Sequence, residues 1–217
     1  MKSTAQNPAN PDMLSFEKKY WDAGFLHIAG ADEVGRGCIA GPIVAAAVIW
    51  DKTFLTENID KIDELKIIND SKKLTEKKRT LLAEFIKQNA KAYAIAEISA
   101  KIIDEKGITY ANNQVLTTAI NELPIKPDFV LIDHFRLDLD NSESITKGDA
   151  LSITIASASI IAKVYRDTQM QEKYAKEYPN YGFEKHVGYG TKLHMEKIKE
   201  FGVKEIHRKT FISNIKN

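Results

Sequence analysis

The sequence has little cysteine and no long apolar run, and both absences restrict what the protein can be. Cys38 is the only cysteine, so no disulfide can form within the chain, and we expect a small buried thiol in a reducing compartment, the cytoplasm. The longest apolar stretch, residues 39–50, is too short for a membrane span and contains Gly41 and Pro42. Residues 1–20 lack the apolar core of a secretory signal, and we expect a frayed leader followed by a short helix.

The chain also lacks internal repeats and any linker rich in Ser, Gly or Pro. Its 217 residues, 43% hydrophobic and 28% charged, are typical of a globular protein with one sizeable core. We therefore expect a single domain over residues 1–217. The net charge is only +1, but residues 163–217 hold 12 Lys/Arg against 7 Asp/Glu. This uneven distribution is a weak indication of a polyanionic partner, and a solvated basic face is the alternative.

Hydrophobic patterns predict two early strands followed by alternating helices and strands. The predicted strands cover residues 27–32, 42–50, 92–99 and 128–133, and the predicted helices cover residues 13–20, 74–88, 101–122, 149–178 and 191–202. Thr75 and Asp149 are the expected N-caps of their helices, Gly107 the expected break in 101–122 and Gly202 the expected stop of the last helix. This order predicts a mixed sheet with helices on its faces.

The string ADEVGRGCIAGP, at residues 31–42, combines carboxylates with a glycine-rich turn. Asp32 and Glu33 end an apolar strand, and because adjacent strand residues point to opposite faces, both can bind one metal ion only if the strand stops or twists there. Residues 34–37 supply such a break, with glycines on both sides of Arg36 that allow the backbone to approach a ligand. A polar turn with solvated charges is the alternative.

Two more carboxylates stand where they can join this pair. Asp133 closes the apolar strand 128–133, and Asp149 lies just ahead of the long predicted helix. Carboxylates at the ends of neighbouring strands form a cluster of hard oxygen ligands, which suits Mg²⁺ or Mn²⁺. A turn-forming role for Asp133 and a plain N-cap role for Asp149 are the alternatives.

Two further segments carry groups suited to a nucleic acid. In the long predicted helix Ser152, Ala156, Ser159 and Lys163 share one stripe, and hydroxyls with a lysine suit phosphate oxygens. Packing against the sheet is the alternative, although it explains the lysine poorly. In a later glycine-rich loop, the ring of Tyr189 could lie against a sugar or base, with packing against the protein as the alternative.

Taken in chain order, these strings strongly resemble ribonuclease HII. The matching strings are ADEVGRG (31–37), NDSKKL (69–74), LIDH (131–134), KGDALSITIASASIIAKVYRD (147–167), KHVGYGT (185–191) and IHR (206–208). The resemblance runs from about His27 to Phe211, nearly the whole chain. It implies an α/β, ribonuclease-H-like fold with a mixed five-stranded sheet, flanking helices and a helical C-terminal portion.

The resemblance also implies roles for individual residues. Four carboxylates match the family's ligands for two divalent ions, Mg²⁺ or Mn²⁺: Asp32, Glu33, Asp133 and Asp149. Gly35, Arg36 and Gly37 match the turn that recognises a ribose 2′-hydroxyl at an RNA–DNA junction. Tyr189 matches the tyrosine that packs on the neighbouring sugar of the same strand.

Other positions match the family more loosely or depart from it. Four residues fall in strings that lie near backbone phosphates in the family: Ser71, Lys72, Ser159 and Lys163. The family usually has glycine after the third carboxylate, where this chain has His134, so a larger side chain there could crowd the metal site or offer it another polar group. Arg166 and Asp167 match as well, and we expect them to form an ion pair that steadies the helix.

The activity implied is endonucleolytic hydrolysis of the RNA strand of RNA–DNA hybrids, and cleavage on the 5′ side of ribonucleotides embedded in duplex DNA. A two-metal mechanism would leave 3′-hydroxyl and 5′-phosphate ends. We expect a monomer that binds these duplexes, and we do not expect it to bind a membrane. The alternatives are another nuclease or resolvase of the same fold, which the 2′-hydroxyl-reading turn disfavours, and a non-catalytic binding module. The acidic cluster disfavours the binding module, because without metal ions it would repel phosphates.

Overall fold

A five-stranded mixed sheet organises the computed structural model, which describes residues 12–69, 71 and 74–213. The strands are β1 (Ile28–Val34), β2 (Ile43–Ile49), β3 (Ala92–Ile98), β4 (Phe129–Asp133) and β5 (Ser142–Ile145). Their order across the sheet is β3-β2-β1-β4-β5. β2 runs antiparallel to both of its neighbours, and β1, β4 and β5 run parallel. The expected α/β fold with a mixed five-stranded sheet is confirmed.

Helices cover both faces of this sheet. In chain order the α-helices are α1 (Ser15–Asp22), α2 (Lys52–Asn58), α3 (Asp63–Ile67), α4 (Glu76–Asn89), α5 (Ala100–Lys106), α6 (Ile108–Asn121), α7 (Ile153–Thr168), α8 (Ala175–Glu177), α9 (Phe183–His186), α10 (Lys192–Phe201) and α11 (Lys209–Ser213). α7 packs against β1 and β2 on one face, and α6 packs against β2 and β3 on the other. Both faces of β2 are therefore buried, as its uninterrupted apolar sequence predicts.

Alternation along β1 separates the two faces of the core. Ile28 belongs to the apolar cluster on the α7 face, whereas Ala29 and Ala31 belong to the cluster on the α6 face. A third cluster, which includes Met170 and Phe183, holds the C-terminal helices together and contacts the loop between β1 and β2 through Ile39 and Ala40. The C-terminal portion is helical, as the resemblance implies.

The start of α7 differs from its prediction. Asp149 does not cap this helix, because it lies in a 3₁₀ turn at Gly148–Ala150. The N-cap is Ser152, whose hydroxyl accepts a hydrogen bond from the backbone N–H of Ile155. The side chain of Asp149 therefore takes no part in capping α7.

The predicted helix over residues 149–178 is not uniform. α7 ends at Thr168, a π-helical segment follows at Gln169–Tyr174, and α8 continues it. Wider turns of this kind break the regular spacing of side chains along a helix, and sequence periodicity does not reveal them.

A buried carboxyl group on α1 fixes the start of α7. Glu17 Oε1 accepts hydrogen bonds from the hydroxyl of Ser152 and from both the backbone N–H and the hydroxyl of Thr154. Burial raises the pKa of Glu17, and these hydrogen bonds oppose the rise. The backbone N–H of Ile153 also donates to the carbonyl of Met13 at 2.8 Å. α1 therefore holds α7 close to the turn that carries Asp149.

The remaining elements show where the sequence patterns were informative. Thr75 caps α4, Gly107 separates α5 from α6 and Gly202 ends α10, all as predicted. Among the described strands and α-helices, five short ones were not predicted: β5, α2, α3, α9 and α11. In the described part of the chain, no helix is both long enough and apolar enough to cross a membrane.

Candidate active site

The candidate active site lies at one edge of the sheet, where the pairing between β1 and β4 ends. These strands are parallel, with Ala31 paired to Ile132. Asp32 and Asp133 come next on each strand. Because the carboxyl ends of neighbouring parallel strands meet at the same edge, the two side chains emerge next to each other.

Asp149 completes an acidic group with these two residues. One carboxylate oxygen from each of Asp32, Asp133 and Asp149 lies within 4.8 Å of the other two. The 3₁₀ turn that carries Asp149 is fixed by Asp133, whose Oδ1 accepts a hydrogen bond from the backbone N–H of Gly148 at 2.6 Å. Three of the four carboxylates expected from the sequence are therefore brought together.

Asp32 is buried, and its pKa is affected by the other acidic residues nearby. Burial raises its pKa well above the usual value, and the negative charges of Glu33, Asp133 and Asp149 raise it further. A hydrogen bond from the hydroxyl of Ser159 acts in the opposite direction. Such a concentration of negative charge in a buried position is favourable only with a compensating cation or proton.

Glu33, the fourth expected carboxylate, is not part of the group that lies within 4.8 Å. The sequence argument required β1 to stop or twist at this point, but the strand continues to Val34, which pairs with Val44 of β2. Glu33 therefore lies on the opposite face of β1 from Asp32. It remains near enough for its charge to act on Asp32, and its role as a metal ligand stays a prediction.

The donor set fits a hard divalent cation. Carboxylate oxygens are the ligands that Mg²⁺ and Mn²⁺ prefer, and among the described residues this acidic group contains neither His nor Cys. A cation held by Asp32, Asp133 and Asp149 would also offset the cost of burying the charge of Asp32.

The ring of Tyr189 lies beside the same helix that supports Asp32. Lys163 follows Ser159 by one turn of α7, and its Nζ is 5.4 Å from the centre of the Tyr189 ring. Lys163 also forms an ion pair with Asp167 at 2.9 Å, and both side chains are 14% exposed. The Tyr189 side chain itself is 40% exposed, so part of its ring is open to a ligand.

The turn formed by Gly35, Arg36 and Gly37 follows directly after β1. Gly35 is buried with a φ of +87°, and a methyl group there would lie 2.2 Å from Nε of Arg166. Gly37 and Arg36 are exposed, and a methyl group on Gly37 would meet no protein atom within 4 Å. The open side of the turn is therefore at Gly37.

Two buried arginines hold this turn against the loop that carries Tyr189. Arg166 donates to the carbonyls of Pro42, Ala40 and Val187. The expected ion pair between Arg166 and Asp167 is wrong, because Asp167 pairs with Lys163.

The second arginine had no predicted role. Arg208 donates to the carbonyls of Arg36 and Gly41 and is fully buried. Burial lowers its pKa to about 10, so it stays charged at neutral pH. Gly188 strengthens the same junction, because its carbonyl accepts the N–H groups of Ile39 and Ala40. Arg208 and Gly188 stand in the strings IHR and KHVGYGT, but nothing in those strings indicates contacts that join segments far apart in the chain.

His134 does not crowd the acidic group. It has a φ of +51° and its side chain is exposed to solvent. A left-handed backbone here explains why glycine suits this position. The described structure gives His134 no part in the cluster formed by Asp32, Asp133 and Asp149.

The residues expected near phosphates differ in their exposure to solvent. Ser71 and Ser159 are both buried, and their hydroxyl oxygens are 2.9 Å apart. Ser152 is also buried and is bonded to Glu17, so the predicted stripe on α7 is open only towards its Lys163 end. Lys72 lies outside the described residues. The two serines thus link α7 to the segment before α4, and their phosphate contacts stay predictions.

Comparison with known proteins gives one consistent family. The family model described as Ribonuclease HII matches residues 29–214. Ribonuclease HII of Clostridium perfringens strain 13 is 52% identical over 206 residues, which is 94% of this chain and 72% of that protein. Ribonuclease HII of Acholeplasma laidlawii is 48% identical over 200 residues, covering 92% of this chain and 94% of the relative.

A solved structure supports the same relationship. The ribonuclease H2 of Pyrococcus horikoshii OT3 superimposes with a TM-score of 0.69 at 28% sequence identity, over 85% of this chain and 93% of that one. The family match covers the sheet, α7 with its acidic neighbours and the Tyr189 loop. The chain therefore belongs to the ribonuclease HII family.

Proposed function

We propose that this ribonuclease hydrolyses the RNA strand of RNA–DNA hybrids and cuts duplex DNA on the 5′ side of an embedded ribonucleotide. The observation that carries the proposal is the group formed by Asp32, Asp133 and Asp149 at the sheet edge, of which Asp32 and Asp149 are buried. Family membership supports the ribonuclease activity. The two segments proposed to select the substrate, the turn at 35–37 and the Tyr189 loop, are joined to each other beside this group.

The metal ligands in this proposal are Asp32, Glu33, Asp133 and Asp149, and the cofactor is a pair of Mg²⁺ or Mn²⁺ ions. Bound divalent ions supply activation of the attacking water and stabilisation of the charge that develops on the phosphate and the leaving 3′-oxygen. The residues themselves transfer no proton. The chain contributes fixed positions, because Oδ1 of Asp133 accepts the backbone N–H of Gly148 and the hydroxyl of Ser159 lies near enough to Asp32 to lower its pKa.

The choice of sugar is assigned to the turn formed by Gly35, Arg36 and Gly37. The 2′-hydroxyl is the group that distinguishes RNA from DNA at a given position, so it must be recognised directly. The open side of Gly37 allows the backbone to come close to that hydroxyl. Tyr189 would pack on the neighbouring sugar, and Lys163 and Lys72 would face backbone phosphates.

A cleavage assay with four substrates tests this function. The substrates are a DNA duplex with one ribonucleotide, the same duplex with 2′-O-methyl at that position, an all-DNA duplex and an RNA–DNA hybrid. We expect cleavage of the first and the last only, with 3′-hydroxyl and 5′-phosphate ends, in Mg²⁺ or Mn²⁺. Ca²⁺ takes more ligands at longer distances and should permit binding without turnover.

Two outcomes would overturn the assignment. Cleavage of the all-DNA duplex at a comparable rate would favour a general nuclease of the same fold. Turnover in the presence of EDTA would exclude the metal-dependent mechanism.

A further inference from the structure

A pair of buried histidines lies beneath the Tyr189 loop, and the proposed function gives them no role. His194 is on α10 and His207 lies just before α11, and their side chains are 0% and 1% exposed. The two Nε2 atoms are 3.2 Å apart. Neither residue belongs to the acidic group at the sheet edge.

The partner of His207 determines where its hydrogen lies. The backbone N–H of Lys204 donates to Nδ1 of His207 at 3.0 Å. Nδ1 must therefore carry a lone pair, and a neutral ring must carry its hydrogen on Nε2. That Nε2–H points towards His194.

The partner of His194 requires the opposite tautomer. Nδ1 of His194 is 2.9 Å from the backbone carbonyl oxygen of Tyr189. A carbonyl oxygen only accepts hydrogen bonds, so Nδ1 must carry the hydrogen and Nε2 must carry the lone pair. This lone pair accepts the Nε2–H of His207.

The result is a hydrogen-bond chain with one direction, from the N–H of Lys204 through His207 and His194 to the carbonyl of Tyr189. It is complete only when both rings are neutral, because a second hydrogen on either ring would face another donor. Burial lowers the pKa of each histidine to about 4, which keeps both neutral at physiological pH.

This hydrogen-bond chain ends on the backbone of a residue whose side chain is partly exposed. The Tyr189 ring is 40% exposed, and Lys163 lies beside it. Its backbone is fixed more firmly, because its N–H donates to the carbonyl of His186 and its carbonyl accepts from Thr191 as well as from His194. The backbone position therefore sets the point from which the exposed ring projects.

We infer that His207 and His194 are positioning residues that set the Tyr189 ring for the substrate sugar through this hydrogen-bond chain. The inference rests on the proposed contact between Tyr189 and the substrate. Groups that hold a contact residue in place commonly matter nearly as much as the contact itself.

The tautomers can be measured directly on the wild-type protein. In ¹⁵N-histidine NMR at pH 7, His207 should be neutral with its hydrogen on Nε2, and His194 neutral with its hydrogen on Nδ1. His194→Asn and His207→Gln, each of which removes one signal, give the assignment. Finding either ring charged, or in the other tautomer, would overturn the inference without any activity measurement.

Two polar substitutions of His194 separate positioning from general packing. Asparagine places its amide where Nδ1 lies and can still donate to the Tyr189 carbonyl. Glutamine places its amide where Nε2 lies and leaves that carbonyl without this donor. We expect His194→Gln to lower kcat/KM for the ribonucleotide-containing duplex by up to the loss caused by Tyr189→Ala, and His194→Asn to retain most activity. An aromatic stacking contact accounts for roughly 5- to 150-fold.

A double-substitution cycle with Tyr189→Ala tests whether the effect passes through this ring. If His194 acts through Tyr189, His194→Gln should cause no further loss in the Tyr189→Ala background. Tyr181→Phe is the matched control, because it removes the hydrogen bonds to the carbonyls of Phe201 and Gly202 in the same cluster but keeps the ring whose centre lies 4.8 Å from that of His207. It should lower stability without changing kcat/KM.

The possible failures can be told apart. If Tyr189→Ala retains full activity, the proposed sugar contact is wrong and the positioning role falls with it. If Tyr189→Ala loses activity but His194→Gln and His194→Asn behave alike, the contact stands and the positioning role is wrong. Should His194→Gln fail to fold, the tautomer measurement on the wild-type protein still tests the hydrogen-bond chain on which the inference depends.

Discussion

At the scale of single residues, the carboxylates of the sheet edge give the first prediction. Asp133→Asn and Asp149→Asn should each abolish turnover while the protein stays folded. Each removes a negative charge near Asp32, so the thermal unfolding temperature without metal should be unchanged or higher. An asparagine at 133 can still accept the N–H of Gly148. Cleavage assays and thermal melts in EDTA check both effects.

The control for this experiment is Asp138→Asn, an exposed carboxylate in the loop after β4. It should leave both cleavage and the unfolding temperature unchanged. Retained activity in both variants of the sheet edge, or unfolding of both, would contradict the metal-ligand assignment.

Substitutions of the two glycines of the turn should affect different properties, cleavage at Gly37 and stability at Gly35. Gly37→Ala should retain the wild-type unfolding temperature, because its new methyl group meets no protein atom within 4 Å. It should nevertheless lose most cleavage, because the methyl would stand between the backbone and a 2′-hydroxyl. Gly35→Ala should instead destabilise the fold, since it combines a φ of +87° with a methyl group 2.2 Å from Arg166. Melts and cleavage rates of the two variants separate these effects, and full activity in Gly37→Ala would contradict the backbone contact.

At the scale of elements, α7 brings together groups that act on different parts of the site. Ser159 lowers the pKa of Asp32, Lys163 lies against Tyr189, and Arg166 holds the loops at Ala40 and Val187. These residues lie three or four positions apart, so they follow one side of the helix. A rigid helix thus sets the distance between the proposed metal site and the proposed sugar-reading segments.

Salt dependence tests whether Lys163 on this helix faces a phosphate. Lys163→Ala should reduce the slope of log affinity against log salt by about 0.9, the value for one phosphate contact. Lys101→Ala is the matched control, because Lys101 of α5 also lies four residues before an acidic partner but is 81% exposed. It should leave the slope unchanged. An unchanged slope for Lys163→Ala would show that its ion pair with Asp167 is structural.

The sequence predicted the long elements well because their patterns repeat. β2 is apolar throughout, and α4 carries both a cap and a regular apolar face. β5 was missed because its four residues, SESI, are mostly polar and lie at the edge of the sheet. Asp149 was misread as a helix cap because a local motif cannot reveal that Ser152 takes that position.

The site residues were predictable to the extent that a motif contains them. Asp32, Asp133 and Asp149 stand in recognisable strings, and the structure brings them together. The groups that support the site were not predicted, because each is bonded to the backbone: Arg208 to the distant carbonyl of Arg36, His194 to the carbonyl of Tyr189 and His207 to the N–H of Lys204. A backbone carbonyl is present at every residue, so its partner leaves no trace in the local sequence.

At the scale of the whole molecule, the buried histidines predict a stability that depends on pH. In the folded state the pKa values of His194 and His207 are about 4, below the value of about 6.5 expected when unfolded. Between these limits the unfolded state binds more protons, so the free energy of unfolding should fall as pH drops from about 6.5 towards 4. Above a pH of about 6.5 the two neutral histidines make their full contribution to the free energy of unfolding.

Denaturant unfolding at pH 7.5 and 5.5 checks this expectation. The double variant His194→Gln, His207→Gln should lose less stability between these pH values than the wild type. The titratable and charged neighbours are His186, Lys204 and Glu184. The ring centre of His186 lies 4.3 Å from that of His194, Lys204 lies beside His207, and Glu184 acts on His186. All three remain in the double variant, so an equal loss in both proteins would show that other groups control the pH dependence.

The close contact between α7 and β1 has a consequence for how substitutions in this protein are tolerated. A methyl group on Gly30 would lie 2.1 Å from the backbone carbonyl carbon of Thr154, so no side chain fits between strand and helix. In a library of single variants selected for cleavage, Gly30 should therefore be as intolerant as Asp32, although it touches no substrate. Measuring the cellular abundance of each variant would separate the two positions. Variants at Gly30 should disappear from the folded pool, and Asp32→Asn should persist there as an inactive protein.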